Sequence, residues 1–247
     1  MPTLTIVIPA FDEENKITQD VQAAAGFLNS HTIDGEIIVA DDGSSDRTFD
    51  RASAACIPPG IDRAVIRGDS HRGKGWAVRA GILASRGEYV MFADCGCTVP
   101  YDNALTGLRL LREELCDLAH GSRHLPGSVI RRERDWDRKM LSAAFRAVII
   151  HWMGLPASLT DTQCGFKLYR GEVARGLYAE CSTDGFMFDI EVILRALHEG
   201  FRIREFAVEW SCDRDSRLGV RQSAWEILRE LLHLKRTLVL PPPHSRT

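Results

Sequence analysis

The chain has 247 residues, 45% of them hydrophobic and 26% charged, with a formal net charge of -3 at pH 7. That size and apolar content support one substantial core, which predicts a single domain over residues 1–238, and the slight acidity excludes a general nucleic-acid binder. No run reaches the ~18 apolar residues needed to cross a bilayer, and no basic-then-apolar leader opens the chain, so a cytoplasmic protein is expected, or one peripheral at the inner face of a membrane.

In chain order, Ile6, Val7 and Ile8 form an apolar strand within residues 3–9, closed by Pro9, and Ile17, Val21, Ala24 and Leu28 then recur at helical spacing. Residues 36–40 repeat the strand pattern, and the turn Gly43-Ser44-Ser45-Asp46 offers hydroxyls to cap a helix over 47–55. A short strand at 64–67, a helix at 73–85 with a small-residue packing face of Ala77, Ala80, Ile82 and Ala84, and a strand opening at Tyr89 follow. Strands alternating with helices of this length predict crossover units and a mainly parallel sheet covered on both faces. Beyond it the spacing predicts a helix over 103–114, a strand near 117–120, an Arg-rich segment at 131–139, and a long helix over 138–153. The remainder reads as a strand at 165–169, a helix at 188–198, a strand at 201–208 and an amphipathic helix at 222–238, before a disordered Pro-rich tail at 239–247.

The seven cysteines are odd in number and scattered, which predicts a reducing compartment and no structural disulfide. Cys95 and Cys97 lack a second pair at metal-ligand spacing and are read as loop-packing residues rather than zinc ligands.

Three strand-like segments deliver acids to their carboxyl ends: Asp12-Glu13-Glu14, Asp41-Asp42 and Asp94. Parallel sheets bind ligands beyond the carboxyl ends of their strands, so this convergence reads as a ligand site for a sugar, a ribose, a base edge or a divalent cation. Asp41 to Asp46 also suits an ordinary helix-capping turn. Arg72-Gly73-Lys74-Gly75 offers glycines for close backbone approach and cations for phosphate at a helix start, and suits a solvated loop equally.

Thr5-Ile6-Val7-Ile8-Pro9-Ala10-Phe11-Asp12-Glu13-Glu14, Glu36-Ile37-Ile38-Val39-Ala40-Asp41-Asp42-Gly43-Ser44-Ser45-Asp46, Arg72-Gly73-Lys74-Gly75 and Phe92-Ala93-Asp94 together resemble family 2 glycosyltransferases of the GT-A fold. Gly121-Ser122-Arg123, Asp161-Thr162-Gln163-Cys164-Gly165-Phe166-Lys167-Leu168-Tyr169 and Phe188-Asp189-Ile190-Glu191 resemble its polyprenyl-phosphate branch, the Asp161 block looking closer to the glucosyl than to the mannosyl members. The resemblance spans about residues 4–238. It implies a nucleotide-sugar-binding half over 1–100 and an acceptor-side half over 101–238, acting in an inverting transfer from a UDP-glucose-like donor to a lipid phosphate.

By that resemblance Pro9, Phe11 and Glu13 line the nucleoside pocket, Asp41 or Asp42 meets the base or ribose, and Lys74 meets the phosphates. Asp94 holds Mg²⁺ or Mn²⁺, because the departing diphosphate needs a cation. The family usually sets two aspartates one residue apart here, and the second position is Gly96. Asp161 orients the acceptor or the sugar hydroxyls, or serves as a base, with Arg123, Gln163 and the basic run from Arg131 through Arg132, Arg134, Arg138 and Lys139 on the acceptor phosphate or anionic head groups. Interleaved acids make that run equally a solvated charge run. Arg214 and Arg217 would close over the diphosphate. Alternatives are a GDP-mannose-dependent enzyme, a glycosyltransferase with a soluble acceptor, and a non-catalytic sugar-nucleotide-binding protein. Membrane contact, through the last helix or the 136–152 segment, or a membrane partner, follows if the acceptor is a lipid.

Overall fold

The computed structural model describes residues 1–131, 145–211 and 220–239. Strands β1 (Leu4–Ala10) and β2 (Gly35–Asp41) are buried along their whole length, as unbroken apolar runs require of strands covered on both faces. Between them α1 (Ile17–Ser30) turns Ile17, Val21, Ala24 and Leu28 inward. Then come α2 (Thr48–Ala54), β3 (Asp62–Arg67), α3 (Lys74–Ala84) and β4 (Tyr89–Ala93). The face that α3 turns to the sheet differs from the expected one: Ala77 and Ile82 are buried, but Ala80 is half-buried and Ala84 exposed, and the close approach is made at Gly81, where a Cβ would overlap the Val7 side chain of β1.

A 3₁₀ turn (Tyr101–Asn103) leads into α4 (Ala104–Arg112), β5 (Leu118–Ser122) and β6 (Val129–Ile130). After α5 (residues 145–151) follow β7 (Phe166–Arg170), α6 (Gly171–Glu180), α7 (Phe188–His198), β8 (Ile203–Ala207), β9 (Glu209–Trp210) and α8 (Val220–Leu234), which ends in a π turn (Lys235–Val239). The seven-stranded sheet has the order β3-β2-β1-β4-β7-β5-β8. Only β7 runs against its neighbours in that sheet, pairing antiparallel with both β4 and β5. The mainly parallel sheet flanked by helices is thus as expected.

Three elements were not foreseen. Helix α6 is diluted by Gly171 and Gly176, yet buries Val173, Ala174, Leu177 and Tyr178. The two-residue β6 and β9 pair in a small parallel ribbon too short for any period to show. The long helix expected over 138–153 is described only at its end, and the basic residues Arg132, Arg134, Arg138 and Lys139, together with Arg214, Arg217 and the 240–247 tail, lie outside the described residues.

Both faces of the sheet carry core. Leu4, Ile6 and Ile8 meet α1 and α4 on one side, and Val7, Ile38 and Phe92 meet α3, α6 and α7 on the other. A third cluster joins α5, α7 and α8 through Ile149, Met153, Ile190, Leu231 and Leu234.

Register then decides what meets at the sheet edge. Ala10 pairs with Asp41, and Val7 with Phe92, so β1, β2 and β4 end together. Because β7 is reversed and Ala93 pairs with Phe166, the segment before β7 reaches the same edge. Arg123, one residue beyond β5, joins it.

Candidate active site

Asp94 follows β4 directly, with its backbone N–H donated to the Gly165 carbonyl at 2.9 Å. Its Oδ1 lies 2.6 Å from Lys74 Nζ, the first residue of α3. A Cβ on Gly165 would overlap the Asp94 carboxylate, so the absence of a side chain there makes room for it. Burial alone would lower the pKa of Lys74, but the carboxylates of Asp94 and Asp189 outweigh it and hold the ammonium above its usual range. Behind it, Asp189 forms a buried ion pair with Lys167, whose Nζ also donates to the Thr162 carbonyl at 2.8 Å.

Asp42 binds the loop carrying Lys74. Its Oδ1 accepts the Arg72 N–H at 2.9 Å, its Oδ2 accepts the Gly73 N–H at 2.7 Å, and His71 Nδ1 lies 2.7 Å from Oδ2. The His71 ring stacks on Phe11 with centroids 3.8 Å apart, which places Phe11 as a wall between the β1 and β3 loops. Asp41 is fully buried and accepts the Ser44 N–H at 3.0 Å on Oδ1. Its buried Oδ2 receives no hydrogen bond, with Arg67 Nε 3.6 Å away.

The glycines of Arg72-Gly73-Lys74-Gly75 permit the close backbone approach expected of them, and the backbone they admit is the protein's own. A Cβ on Gly73 would overlap the Asp184 carbonyl, and one on Gly75 would lie 2.5 Å from the Thr183 carbonyl, so it is the 183–185 loop that these glycines admit. That loop also takes Arg72, whose Nη2 is 2.8 Å from Asp184 Oδ2, and the Trp76 N–H at the start of α3. Lys74 is then the cation of this loop that faces Asp94. Nothing in the sequence of residues 183–185 signalled the role.

Asp161 and Arg123 form the second charged centre. Arg123 donates from Nε at 2.6 Å, from Nη2 at 2.7 Å and from its backbone N–H at 3.0 Å, and its guanidinium lies 5.4 Å from the Trp210 ring centroid. Burial would raise the Asp161 pKa, but Arg123 outweighs it, and the carboxyl stays below its usual range. The carboxylate is therefore ionised and occupied by Arg123, which makes it a holder of that cation and unsuited to the role of base. Glu205 in turn accepts the backbone N–H groups of Thr160 and Asp161, at 2.8 and 2.7 Å.

Among the described residues, no group of three or more His, Cys, Asp or Glu side chains gathers as a metal cage. Asp94, about one-third exposed, is a hard oxygen ligand at the sheet edge. That fits a divalent cation bound through one carboxylate with phosphate oxygens and water completing its shell, as Mg²⁺ often is, and does not fit a free-standing protein site.

A model of the family described as glycosyl transferase family 2 matches residues 5–176. The chain belongs to glycosyl transferase family 2. It is similar to the dolichyl-phosphate beta-glucosyltransferase of Drosophila melanogaster, 33% identical over 220 residues that cover 84% of this chain and 67% of that protein. The Homo sapiens protein of the same name is 30% identical over 245 residues, covering 94% of this chain and 74% of its own. Among solved structures, glucosyl-3-phosphoglycerate synthase from Mycobacterium tuberculosis, in complex with Mn²⁺, UDP-glucose and phosphoglyceric acid, aligns with a TM-score of 0.71 at 19% identity, over 98% of this chain and 82% of that one. That likeness shows the GT-A fold.

In this glycosyltransferase, Pro9 ends inside β1, Phe11, Asp41, Asp42, Lys74 and Asp94 gather at the carboxyl edge, and the Arg123–Asp161 pair stands beside them. Glu13 donates its N–H to Thr48 Oγ1 at 2.7 Å and pairs with Lys16 at 3.4 Å, which fixes the β1 loop against α2. Gln163 stays with its own turn, its N–H reaching Asp161 Oδ1 at 3.3 Å. Arg131 is exposed and paired with Glu209 on the β6–β9 ribbon. Arg217 is outside the described residues.

Proposed function

We propose that this family 2 glycosyltransferase moves glucose from UDP-glucose to a polyprenyl phosphate of the dolichyl-phosphate type, with inversion at the anomeric carbon. The observation that carries this reading is the pairing of Asp94 with Lys74 at one sheet edge shared with a buried Arg123, cationic groups placed for two phosphates. The names of the relatives support the transferred sugar and the acceptor class.

The acceptor needs little activation. A lipid phosphate has its second ionisation near ~6 and is largely dianionic at neutral pH, so it attacks C1 of glucose without a strong base. The C1–O bond to the diphosphate breaks, and its electron pair stays on the β-phosphate oxygen of UDP. Lys74 meets the charge that develops there, and Asp94 would hold a Mg²⁺ or Mn²⁺ that supplies Lewis-acid stabilisation of the same oxygens. Arg123, its Nε and Nη2 held by Asp161, offers the acceptor phosphate the remaining N–H groups of its guanidinium end. On the donor side, the unsatisfied Asp41 Oδ2 is an acceptor for an N–H of the base or a ribose hydroxyl, beside the Phe11 wall. In this reading residues 1–100 bind the nucleotide sugar and 101–238 the acceptor, with Gln163 and Arg131 on the acceptor side and Arg217 on the diphosphate.

A lipid acceptor requires access to a membrane. No helix among the described residues is long and apolar enough to cross one. Helix α8 buries Leu231 and Leu234 but exposes Trp225, Leu228 and Leu232 at spacings of three and four, with Arg229 close to that stripe on the helical wheel and Arg236 in the π turn that follows. An apolar stripe edged with cations suits an anionic bilayer surface.

Release of free UDP and GDP by the purified protein, given UDP-glucose or GDP-mannose, a short polyprenyl phosphate and Mg²⁺, Mn²⁺ or chelator, tests the proposal. Acceptor-dependent UDP release is expected. GDP release would replace the donor, release with a soluble sugar or alcohol alone would replace the acceptor, and nucleotide binding without release would leave a sugar-nucleotide-binding protein.

A further inference from the structure

The loop that follows Asp94 is folded around a carboxylate from another element. Asp20 lies in the first turn of α1 and is 1% exposed. Its Oδ2 accepts the Gly96 N–H at 2.8 Å and the Cys95 thiol at 3.1 Å, and its Oδ1 accepts the Cys97 N–H at 2.8 Å and the Cys97 thiol at 3.1 Å. Gly96 has φ +100° and Cys97 φ +47°. Two successive residues in the left-handed region turn adjacent amides toward one point, the way a backbone cups an anion. Here the anion is the protein's own.

We infer that Asp20 is the positioning residue of the donor site: by binding residues 95–97 it holds Asp94 where its carboxylate can face Lys74 and a diphosphate-bound cation. Asp94 is tied on one side by its N–H to Gly165 and on the other by the four hydrogen bonds that Asp20 accepts from the three residues after it. The same geometry explains the glycine. An aspartate at position 96 would have to adopt φ +100°, outside the range L side chains favour, while keeping its amide on Asp20. One carboxylate on the metal and one beneath the loop is the arrangement this chain can fold.

The inference rests on the proposed reading of Asp94, and its test separates the two. Asp20→Asn keeps the shape but replaces one acceptor oxygen with an NH₂ that faces an amide donor. Expected are a tenfold or larger loss of Mn²⁺·UDP affinity, read by titration calorimetry and by Mn²⁺ electron paramagnetic resonance, with UDP affinity in chelator unchanged. Transfer should fall in kcat more than in KM for the lipid. A readout independent of function is thiol alkylation. Both thiols donate to Asp20, and burial, and next the Asp20 carboxylate, push Cys97 up to about 12 and raise Cys95 as well, so iodoacetamide should react with both at least tenfold faster in the variant. Should Asp20→Asn fail to fold, Gly96→Ala strains the same turn with Asp20 in place and should lose Mn²⁺·UDP affinity likewise. Wild-type metal affinity, kcat and thiol rates in a folded Asp20→Asn, or wild-type metal affinity in a folded Gly96→Ala, overturn the inference alone. A wild type that shows no Mn²⁺-dependent UDP binding overturns the reading of Asp94 and the inference with it.

Discussion

Replacing Asp161 by asparagine is expected to destabilise the fold by about 3–5 kcal/mol, the range found when one partner of a buried ion pair is removed. The structure supplies the reason. The Arg123 and Asp161 side chains are 9% and 3% exposed, and three hydrogen bonds of 2.6 to 3.0 Å join the residues. Asparagine leaves the guanidinium buried without its counter-charge and turns an NH₂ toward one of its donors. For a domain of this size each kcal/mol shifts the melting temperature by about 2–4 °C, so a fall of roughly 6–20 °C should appear in a thermal scan followed by circular dichroism. The double variant Arg123→Met/Asp161→Leu should recover much of it, since apolar groups of similar volume commonly replace a buried pair without loss. The pH dependence carries a sign as well. Arg123 depresses the Asp161 pKa below the usual 3.8, so the pair's contribution is fully present above that value and is lost as pH falls through the lower folded one. The gap between wild type and Asp161→Asn should therefore stay constant from neutral pH to about 4 and narrow below it. A fall of less than ~2 °C at neutral pH, or a gap that widens in acid, would refute the reasoning.

Asp94→Asn should reduce UDP release by about a hundredfold or more while leaving the melting temperature within a few degrees, and full activity would remove Asp94 from the chemistry. Gly165→Ala should mimic that loss without touching an ionisable group, because its Cβ needs the space of the Asp94 carboxylate; unchanged kcat would show that the carboxylate can sit elsewhere. Gly73→Ala meets both a φ of +128° and the Asp184 carbonyl, so chemical denaturation should show a loss of about 1–3 kcal/mol, and a neutral result would mean that the 183–185 loop moves freely. The double substitution Trp225→Ala/Leu228→Ser should abolish co-sedimentation with vesicles containing anionic lipid while preserving UDP binding, and wild-type sedimentation would discard α8 as the membrane contact.

The fold was legible where one physical signal dominated. Ile6-Val7-Ile8 and Val90-Met91-Phe92 are apolar on both faces, which requires a covered parallel strand, and the acids after them mark the carboxyl edge. The reversal of β7 was not legible, because Phe166-Lys167-Leu168-Tyr169 reads as a strand in either direction. Its direction is fixed by tertiary pairing with β4 and β5, and it is this reversal that brings Gly165 to Asp94. Lys167, a buried cation within that strand, makes sense only beside Asp189 from α7.

Carboxylates show most sharply where sequence reasoning stops. Asp41, Asp42, Asp94 and Asp161 all stand out as acids in or next to apolar segments, yet their partners divide them into different kinds. Asp42 is consumed by the amides of residues 72 and 73, and Asp161 by Arg123, whereas Asp41 retains a buried oxygen without a donor and Asp94 faces a lysine at the open edge. Asp20 has no such signal, since an acid in the first turn of a helix is ordinary. A buried charge is stable only when something answers it, and what answers it lies 76 residues away at Gly96. The residue that looks like a missing ligand and the one that looks like a routine helix acid are two ends of a single contact, and the contact is visible only once the chain is folded.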